Sequence, residues 1–286
     1  MDTPITTTLT SKTRTVTIRR GLPTVIIGER INPTGRKQVL AALQAGDYKS
    51  VRQDALAQVQ AGAQILDVNA GVPGLDEVAL LPRVLQEVMS VVDVPLCIDT
   101  ANPRALAAAL EIYQGKALIN SVNAEEASLS SVLPLAKEHS AAVIALCMDE
   151  NGIPASPDQR VAVAGRIISR ALRVGIPQED IILDPLVMAV SADSQAGWIT
   201  LQTIQMLVRE FGANITIGAS NVSFGLPDRA QLNAVFLAMA IQAGVTCPIT
   251  NPLESSIRTS VHAADLALGR DEYAARWIKD FRARKK

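Results

Sequence analysis

Apolar residues recur along the 286-residue chain in two alternating patterns. Eight short runs rich in Val, Ile, Leu and Ala occupy residues 25–30, 65–70, 95–100, 117–122, 141–148, 181–186, 215–220 and 245–250. Each has the length and near-continuous apolar character of a strand buried on both faces. Between them lie stretches rich in Ala, Leu, Gln and Arg with helical spacing, as where Val51, Ala55, Val59 and Gly62 fall at i, i+4, i+8 and i+11. Gly62, Gly175, Gly212 and Gly244 stand where such helices would end before the next strand. The first and eighth runs start 220 residues apart, seven intervals of roughly 31 residues. Strands alternating with helices at that pitch make βαβ units and a parallel sheet, and eight units predict a single (β/α)8 TIM barrel of the α/β class. The rival, an open doubly wound sheet, lacks its strongest support, because no Gly-x-Gly-x-x-Gly follows the first run. The barrel is expected over residues 23–286, its tail from Asp271 onward forming an amphipathic helix with a basic end. Residues 1–22 form an N-terminal extension. Its stretch from Arg14 to Arg19 alternates like a strand, which predicts a short plug or hairpin ahead of a transit peptide.

Composition narrows the picture. Hydrophobic residues make up 48% of the chain but aromatics only 3%, so the core must be aliphatic. A net charge of −1 argues against nucleic acid or a membrane surface held by bulk electrostatics. Cys97 and Cys147 sit inside apolar runs, Cys247 precedes Pro248, and no Cys-x-x-Cys occurs. These read as buried thiols in a reducing compartment, and a cytoplasmic location is expected. No stretch approaches the ~20 apolar residues that span a bilayer.

The candidate chemistry lies where the apolar runs end. Ile181-Ile182-Leu183 runs into Asp184, which Pro185 follows. An unpaired carboxylate inside a sheet costs several kcal/mol, so something must satisfy it. The other runs end alike: Glu29, Arg30 and Asn32, then Asp67 and Asn69, Asp99, Asn120 and Asn123, Met148 and Asp149, Ser220 and Asn221, and Asn251. Barrel active sites sit at the C-terminal ends of the strands, so these tips are expected to face one polar cavity. Mg²⁺ would accept the carboxylates, but a ring rich in Asn suits a hard cation poorly, and no bound metal is expected. A phosphate at Gly218-Ala219-Ser220 lacks an obvious basic partner. A flat heterocycle with an amide-plus-amine edge fits the Asp/Asn mixture best, because a carboxylate accepts two parallel hydrogen bonds and Asn both donates and accepts. The plainer readings stand beside these. Asn69, Asn123 and Asn251 read equally as helix caps, and Thr100 as the cap of a helix starting near Pro103. His139 and His262 read as ordinary helix residues, Arg160, Arg166, Arg170 and Arg173 as a solvated helix face, and Met148 as pocket wall.

Taken in order, Ile27-Gly28-Glu29-Arg30-Ile31-Asn32, Asp67-Val68-Asn69, Cys97-Ile98-Asp99-Thr100, Ile119-Asn120-Ser121-Val122-Asn123-Ala124-Glu125, Leu183-Asp184-Pro185, Ser220-Asn221-Val222-Ser223 and Asn233-Ala234-Val235-Phe236-Leu237 resemble the pterin-binding methyltetrahydrofolate:corrinoid methyltransferases. That family includes acetogen enzymes, second-step methyltransferases of O-demethylation and the folate module of cobalamin-dependent methionine synthase. The resemblance spans roughly residues 23–280. It implies transfer of a methyl group between N5 of (methyl)tetrahydrofolate and the cobalt of a corrinoid, and it implies a homodimer. It implies that Asp99, Asn120 and Asp184 grip the pterin, that Gly218 and Ser220 line the pocket, and that Arg229 lies near it. Asn221 would reach N5 as the catalytic residue. Glu29, Asp67, Asn69, Asn123 and Met148 would stand behind these. Neither His139 nor His262 lies in an Asp-x-His-x-x-Gly loop of the kind that binds cobalt, so the corrinoid is expected on a separate protein, in transient contact. Dihydropteroate synthase, a pterin-condensing relative, is the alternative activity, and a non-catalytic folate-binding module the alternative role. The synthase uses a strand-seven lysine, whereas this chain reads Thr216-Ile217-Gly218-Ala219-Ser220-Asn221.

Overall fold

A computed structural model describes residues 4–284. A hairpin of β1 (Thr6–Thr10) and β2 (Thr15–Arg19) comes first. The sheet strands follow as β3 (Ile27–Ile31), β4 (Ile65–Asn69), β5 (Leu96–Asp99), β6 (Leu118–Val122), β7 (Ala142–Leu146), β8 (Ile181–Asp184), β9 (Asn214–Ile215) and β10 (Ile249–Thr250). Two helices, α1 (Lys37–Gln44) and α2 (Lys49–Gln60), separate β3 from β4. Single helices then follow each strand: α3 (Glu77–Met89), α4 (Pro103–Ile112), α5 (Glu126–Glu138), α6 (Pro157–Val174), α7 (Ala196–Phe211), α8 (Arg229–Ala243) and α9 (Ser255–Ala267). The strands pair in parallel in the order β10-β3-β4-β5-β6-β7-β8-β9. The ring closes where Gly218 bridges Ile249 and the Ile249 N–H donates to Ile217 O at 2.9 Å. This is the eightfold barrel that the pattern predicts.

The last two strands are shorter than expected, two residues each. Threonine side chains replace part of the ladder there. Thr216 Oγ1 donates to Cys247 O at 2.7 Å, and Thr246 Oγ1 accepts from the Ile215 N–H at 3.1 Å. A backbone group bonded to a hydroxyl is satisfied without counting as a strand pair.

Successive strand residues face opposite sides, which divides the core in two. Outward residues such as Leu66, Val68, Ile98, Ile119, Val143 and Leu183 pack under the helices. Inward residues Ile27, Ile65, Cys97, Leu118, Ala142, Ile144, Ile182 and Cys247 fill the lower barrel. Leu9 and Ile18 of the hairpin, both fully buried, join this inner cluster and close the barrel floor. Asn214 Nδ2 donates to Thr7 Oγ1 and to Ile18 O, each at 3.0 Å, and the Thr10 N–H donates to Lys116 O at 3.1 Å. Tyr113 Oη donates to Thr10 O at 2.9 Å.

The other ends are pinned too. Buried Asp265 accepts from the Thr24 N–H at 2.8 Å, from Thr24 Oγ1 at 2.7 Å and from Arg276 at 3.1 Å. Arg276 belongs to α10 (Ala275–Arg284), the amphipathic tail helix, which a short 3-10 turn over Glu272–Ala274 precedes. Residues 285 and 286 lie outside the described residues. The cap of α4 is Asn102, whose Oδ1 accepts from the Arg104 N–H at 3.0 Å, not Thr100. Thr100 is buried and donates instead to Glu77 at 2.6 Å. Among the described residues no helix is long and apolar enough to cross a membrane.

The hairpin seat can be tested at Gly115, which has φ +134° and where a Cβ would run into the Thr10 carbonyl oxygen. Gly115→Ala is expected to cost about 2–3 kcal/mol, because strain and a backbone clash combine. Urea unfolding should show a lower midpoint at unchanged slope; an unchanged midpoint would mean that the hairpin does not sit there.

Candidate functional site

The period of two that fills the lower barrel with apolar groups also carries the polar ones to its top. Inward positions run Ile65, Asp67, Asn69 on β4; Cys97, Asp99 on β5; Leu118, Asn120 on β6; Ile144, Leu146 on β7; and Ile182, Asp184 on β8. Register sets them level with one another. Asn69 pairs with Asp99, Asp99 with Asn120, and Leu146 with Asp184.

Two crossed amide–carboxylate bonds join the first three strands. Asn120 Nδ2 donates to Asp67 Oδ1 and Asn69 Nδ2 donates to Asp99 Oδ2, both at 3.1 Å. Burial raises the pKa of Asp67, and the neighbouring Asp99 charge raises it further against hydrogen bonds from Asn120 and Cys97. Burial likewise raises Asp99, opposed by the Asn69 bond and reinforced by the Glu77 charge. Two carboxylates this close in a dry site resist joint ionisation, and Asp67, the deeper, holds its proton more firmly. Glu29, half-buried on β3, is pushed up to about 7 because desolvation outweighs the charges of Arg30 and Arg229.

Asp184 stands on β8 with 7% of its surface exposed. Burial raises it to about 7, against the Leu186 N–H, which donates to its Oδ1 at 2.7 Å, and the charge of Arg160. Beyond β9 the chain winds into a 3-10 turn over Ala219–Ser223. Asn221 is exposed on this turn, and its amide lies over Gly218, where a Cβ would come within 3.1 Å of Nδ2. Arg229 at the start of α8 fastens the turn, donating from Nε to Ser223 Oγ at 3.0 Å and from its terminal nitrogen to Ser220 O at 2.8 Å.

A cleft of about 480 Å³ opens beside Asp99 and Asn120. It runs outward between the starts of α4 and α5, with Thr100, Pro103, Ser121, Asn123, Glu125, Ser131 and Leu146 among its walls. The structure thus brings Glu29, Asp67, Asn69, Asp99 and Asn120 together, and of these Asp99 and Asn120 line the cleft. Asp184, Gly218, Ser220 and Asn221 stand on later strand ends outside its walls. Met148 is half-buried and contributes its backbone, its carbonyl accepting from the Ala124 N–H at 2.9 Å. Asn69, Asn123 and Asn251 do not cap helices: each accepts from the N–H two residues on, an Asx turn. No cluster of three or more His, Cys, Asp or Glu suited to a metal occurs among the described residues.

Two residues near the ring were not singled out by sequence. Cys97, read only as a buried thiol, is fully buried and stands level with Asp67 in the β4–β5 register. Arg160, read as part of a solvated face, is buried at 3% exposure under Asp184. Arg166 and Arg173 are exposed as expected, and Arg170 is half-buried. The signal for Arg160 was its place in the first turn of a helix, behind the Ser156–Gln159 capping box, where a cation is disfavoured.

Residues 28–251 match the family described as pterin binding enzyme. The chain belongs to the pterin-binding enzyme family. Over 265 residues it is 30% identical to the methylcorrinoid:tetrahydrofolate methyltransferase of Eubacterium limosum, covering 90% of this chain and 96% of that protein. It is 31% identical over 240 residues to methionine synthase of Mycobacterium tuberculosis, a match that covers 79% of this chain and 20% of that protein. These relatives place this pterin-binding enzyme with the methyltransferases. Solved dihydropteroate synthases share its fold. The Yersinia pestis synthase with a pterine-sulfa conjugate superposes with a TM-score of 0.69 at 16% identity, over 92% of this chain and 98% of that one. The Thermus thermophilus synthase with 4-aminobenzoate gives 0.67 at 22%, over 91% and 99%.

The state of Asp184 yields a paired expectation. Its folded pKa, about 7, lies above the ordinary 3.8, so the folded chain keeps a proton that the unfolded chain releases. Stability that is fully present below the ordinary value is lost as pH rises through about 7. Asp184→Asn keeps the acceptor for Leu186 but cannot ionise. It should gain on the order of 3 kcal/mol over wild type near pH 8 and little near pH 4.5, read by urea unfolding at both. An equal difference at both pH values would remove the burial cost assigned to Asp184.

Proposed function

We propose that this enzyme moves a methyl group between N5 of tetrahydrofolate and the cobalt of a corrinoid carried by a second protein. One observation carries the reading: the match to the Eubacterium limosum methyltransferase runs over nearly the whole of both chains. The polar ring supports it. Carboxylates raised by burial lack enough donors of their own, and the edge of a pterin offers amine and amide N–H groups to such acceptors. In this reading Asp99, Asn120 and Asp184 hold the pterin, with Asp67 and Asn69 fixing their orientation through the crossed bonds. Gly218 and Ser220 line the pocket, and Arg229 holds their turn in place. Glu29, Asn123 and Met148 stand behind them.

Methyl transfer from the folate breaks the N5–C bond, whose electron pair stays on nitrogen, while reduced cobalt supplies the pair for the new Co–C bond. N5 must gain a proton as it leaves, and in the reverse direction it loses one. The corrinoid is a substrate here, and no residue of this chain needs to carry the methyl group. Asn221, exposed at the barrel mouth, can hydrogen-bond N5 in either protonation state by turning its amide. Gly218 leaves room for that amide.

The same reading includes a homodimer and a cytoplasmic setting. The homodimer is supported by the outer side of α7 and α8, where Trp198, Val235 and Met239 are exposed. A helix apolar on its outer as well as its inner side wants a partner.

The proposal is tested by mixing the protein with methyltetrahydrofolate and cob(I)alamin and following the cobalt spectrum. Wild type should convert the reduced corrinoid to the methylated form. Asn221→Ala should bind methyltetrahydrofolate within about threefold of wild type yet slow single-turnover transfer by on the order of 10²-fold, the scale of one transition-state hydrogen bond. A wild-type rate in the variant would remove Asn221 from the chemistry. Folate binding without turnover by wild type, with any corrinoid acceptor, would make the chain a folate-binding module.

A further inference from the structure

Asp184 is held by a neighbour that is itself held from behind. The Leu186 N–H donates to its Oδ1 at 2.7 Å. Leu186 is a branched residue at φ +65°, a left-handed conformation that side chains other than Gly, Asn or Asp avoid. Its carbonyl supplies the counter-hold. It accepts from Arg160 at 2.9 Å and, more weakly, from Thr200 Oγ1 at 3.4 Å. Arg160 also donates to Pro185 O at 3.0 Å and to Pro154 O at 2.9 Å. It is 3% exposed and forms no ion pair within 4 Å among the described residues. A buried guanidinium in the first turn of α6 opposes the helix dipole. What it gains there is three carbonyls, two of them from the pair of residues that follow Asp184.

We propose that Arg160 is a positioning residue of the pterin site, clamping Pro185 and Leu186 so that the Leu186 N–H fixes the Asp184 carboxylate in one orientation. This rests on the reading of Asp184 as a pterin-binding group. The clamp acts on geometry through the two carbonyls and on charge through the guanidinium, which favours the Asp184 anion. The titratable groups that face Asp184 are Arg160 from α6, Cys147 just beyond β7 and Cys247 just before β10. Burial pushes both thiols far above the ordinary thiol range, so they stay neutral and Arg160 is the charge that moves Asp184.

The test is calorimetric binding of tetrahydrofolate between about pH 5.5 and 9, on wild type, Arg160→Lys, Arg160→Gln and Arg160→Met, with folding checked by circular dichroism. Wild-type affinity should rise with pH as Asp184 ionises, with a midpoint near 7. Arg160→Gln and Arg160→Met should shift that midpoint upward by at least about one unit and bind about 10–100-fold more weakly near pH 7. Arg160→Lys keeps the charge but not the fork. It should keep the midpoint and lose about 10-fold at every pH. A structural role only would lower affinity or stability equally across pH with the midpoint unmoved in all three, and overturns the proposal. If the uncharged variants do not fold, Arg160→Lys decides, since wild-type affinity in it contradicts the clamp. Failure of the underlying reading looks different: Asp184→Asn would then bind as wild type does at every pH.

Discussion

Everything at the barrel mouth follows from one constraint, the two-residue alternation of a strand inside a closed parallel ring. An inward residue is followed two positions later by another inward residue about 7 Å higher. The columns Ile65-Asp67-Asn69, Cys97-Asp99, Leu118-Asn120 and Ile182-Asp184 therefore change from apolar to polar at nearly the same height. Below that height the hairpin residues Leu9 and Ile18 complete a dry floor. Above it Asp67 and Asp184 are buried with few partners, and Asp99 is half-buried beside the cleft. The same geometry that stabilises the floor makes the ring costly to ionise.

In the proposed reading, that cost gives the site its selectivity. Asn120 and Asn69 satisfy one oxygen each of Asp67 and Asp99, and the Leu186 N–H satisfies one of Asp184. Burial still dominates every one of these acids and raises its pKa. A ligand that brings N–H donors to the ring relieves the cost of ionisation, whereas one that brings only acceptors adds to it. The arrangement favours a pterin edge over a phosphate. The turn that carries Asn221 is built separately, with Arg229 bound to Ser220 and Ser223. In the proposed reading, grip and chemistry thus sit on different elements.

The barrel was legible in the sequence because eight aliphatic runs at even pitch admit few other arrangements. The polar tips were legible because Asp after Ile-Ile-Leu is costly anywhere but at a strand end. The extent of β9 and β10 was not, since Thr216 and Thr246 satisfy backbone groups through their hydroxyls, and a propensity pattern does not show that substitution. Asn69, Asn123 and Asn251 proved to be Asx turns, which use the same side-chain oxygen as a cap and leave the same trace in sequence. Arg160 was hidden for a different reason. Its spacing with Arg166, Arg170 and Arg173 looks like one charged face, and only the returning loop after β8 shows that this first arginine is covered. The cleft between α4 and α5 was invisible for a like cause, because its walls come from loops whose mutual approach no periodicity records.

In the proposed reading, buried acids at the barrel mouth hold protons that a pterin edge displaces, and those protons can be counted. Tetrahydrofolate binding would be measured by calorimetry in two buffers of different ionisation enthalpy, near pH 6.5 and again near pH 8.5. The expected result is net release of a substantial fraction of a proton on binding at the lower pH, diminishing at the higher one as Asp184, with its value of about 7, is already ionised. Binding with the same heat in both buffers at both pH values would contradict it.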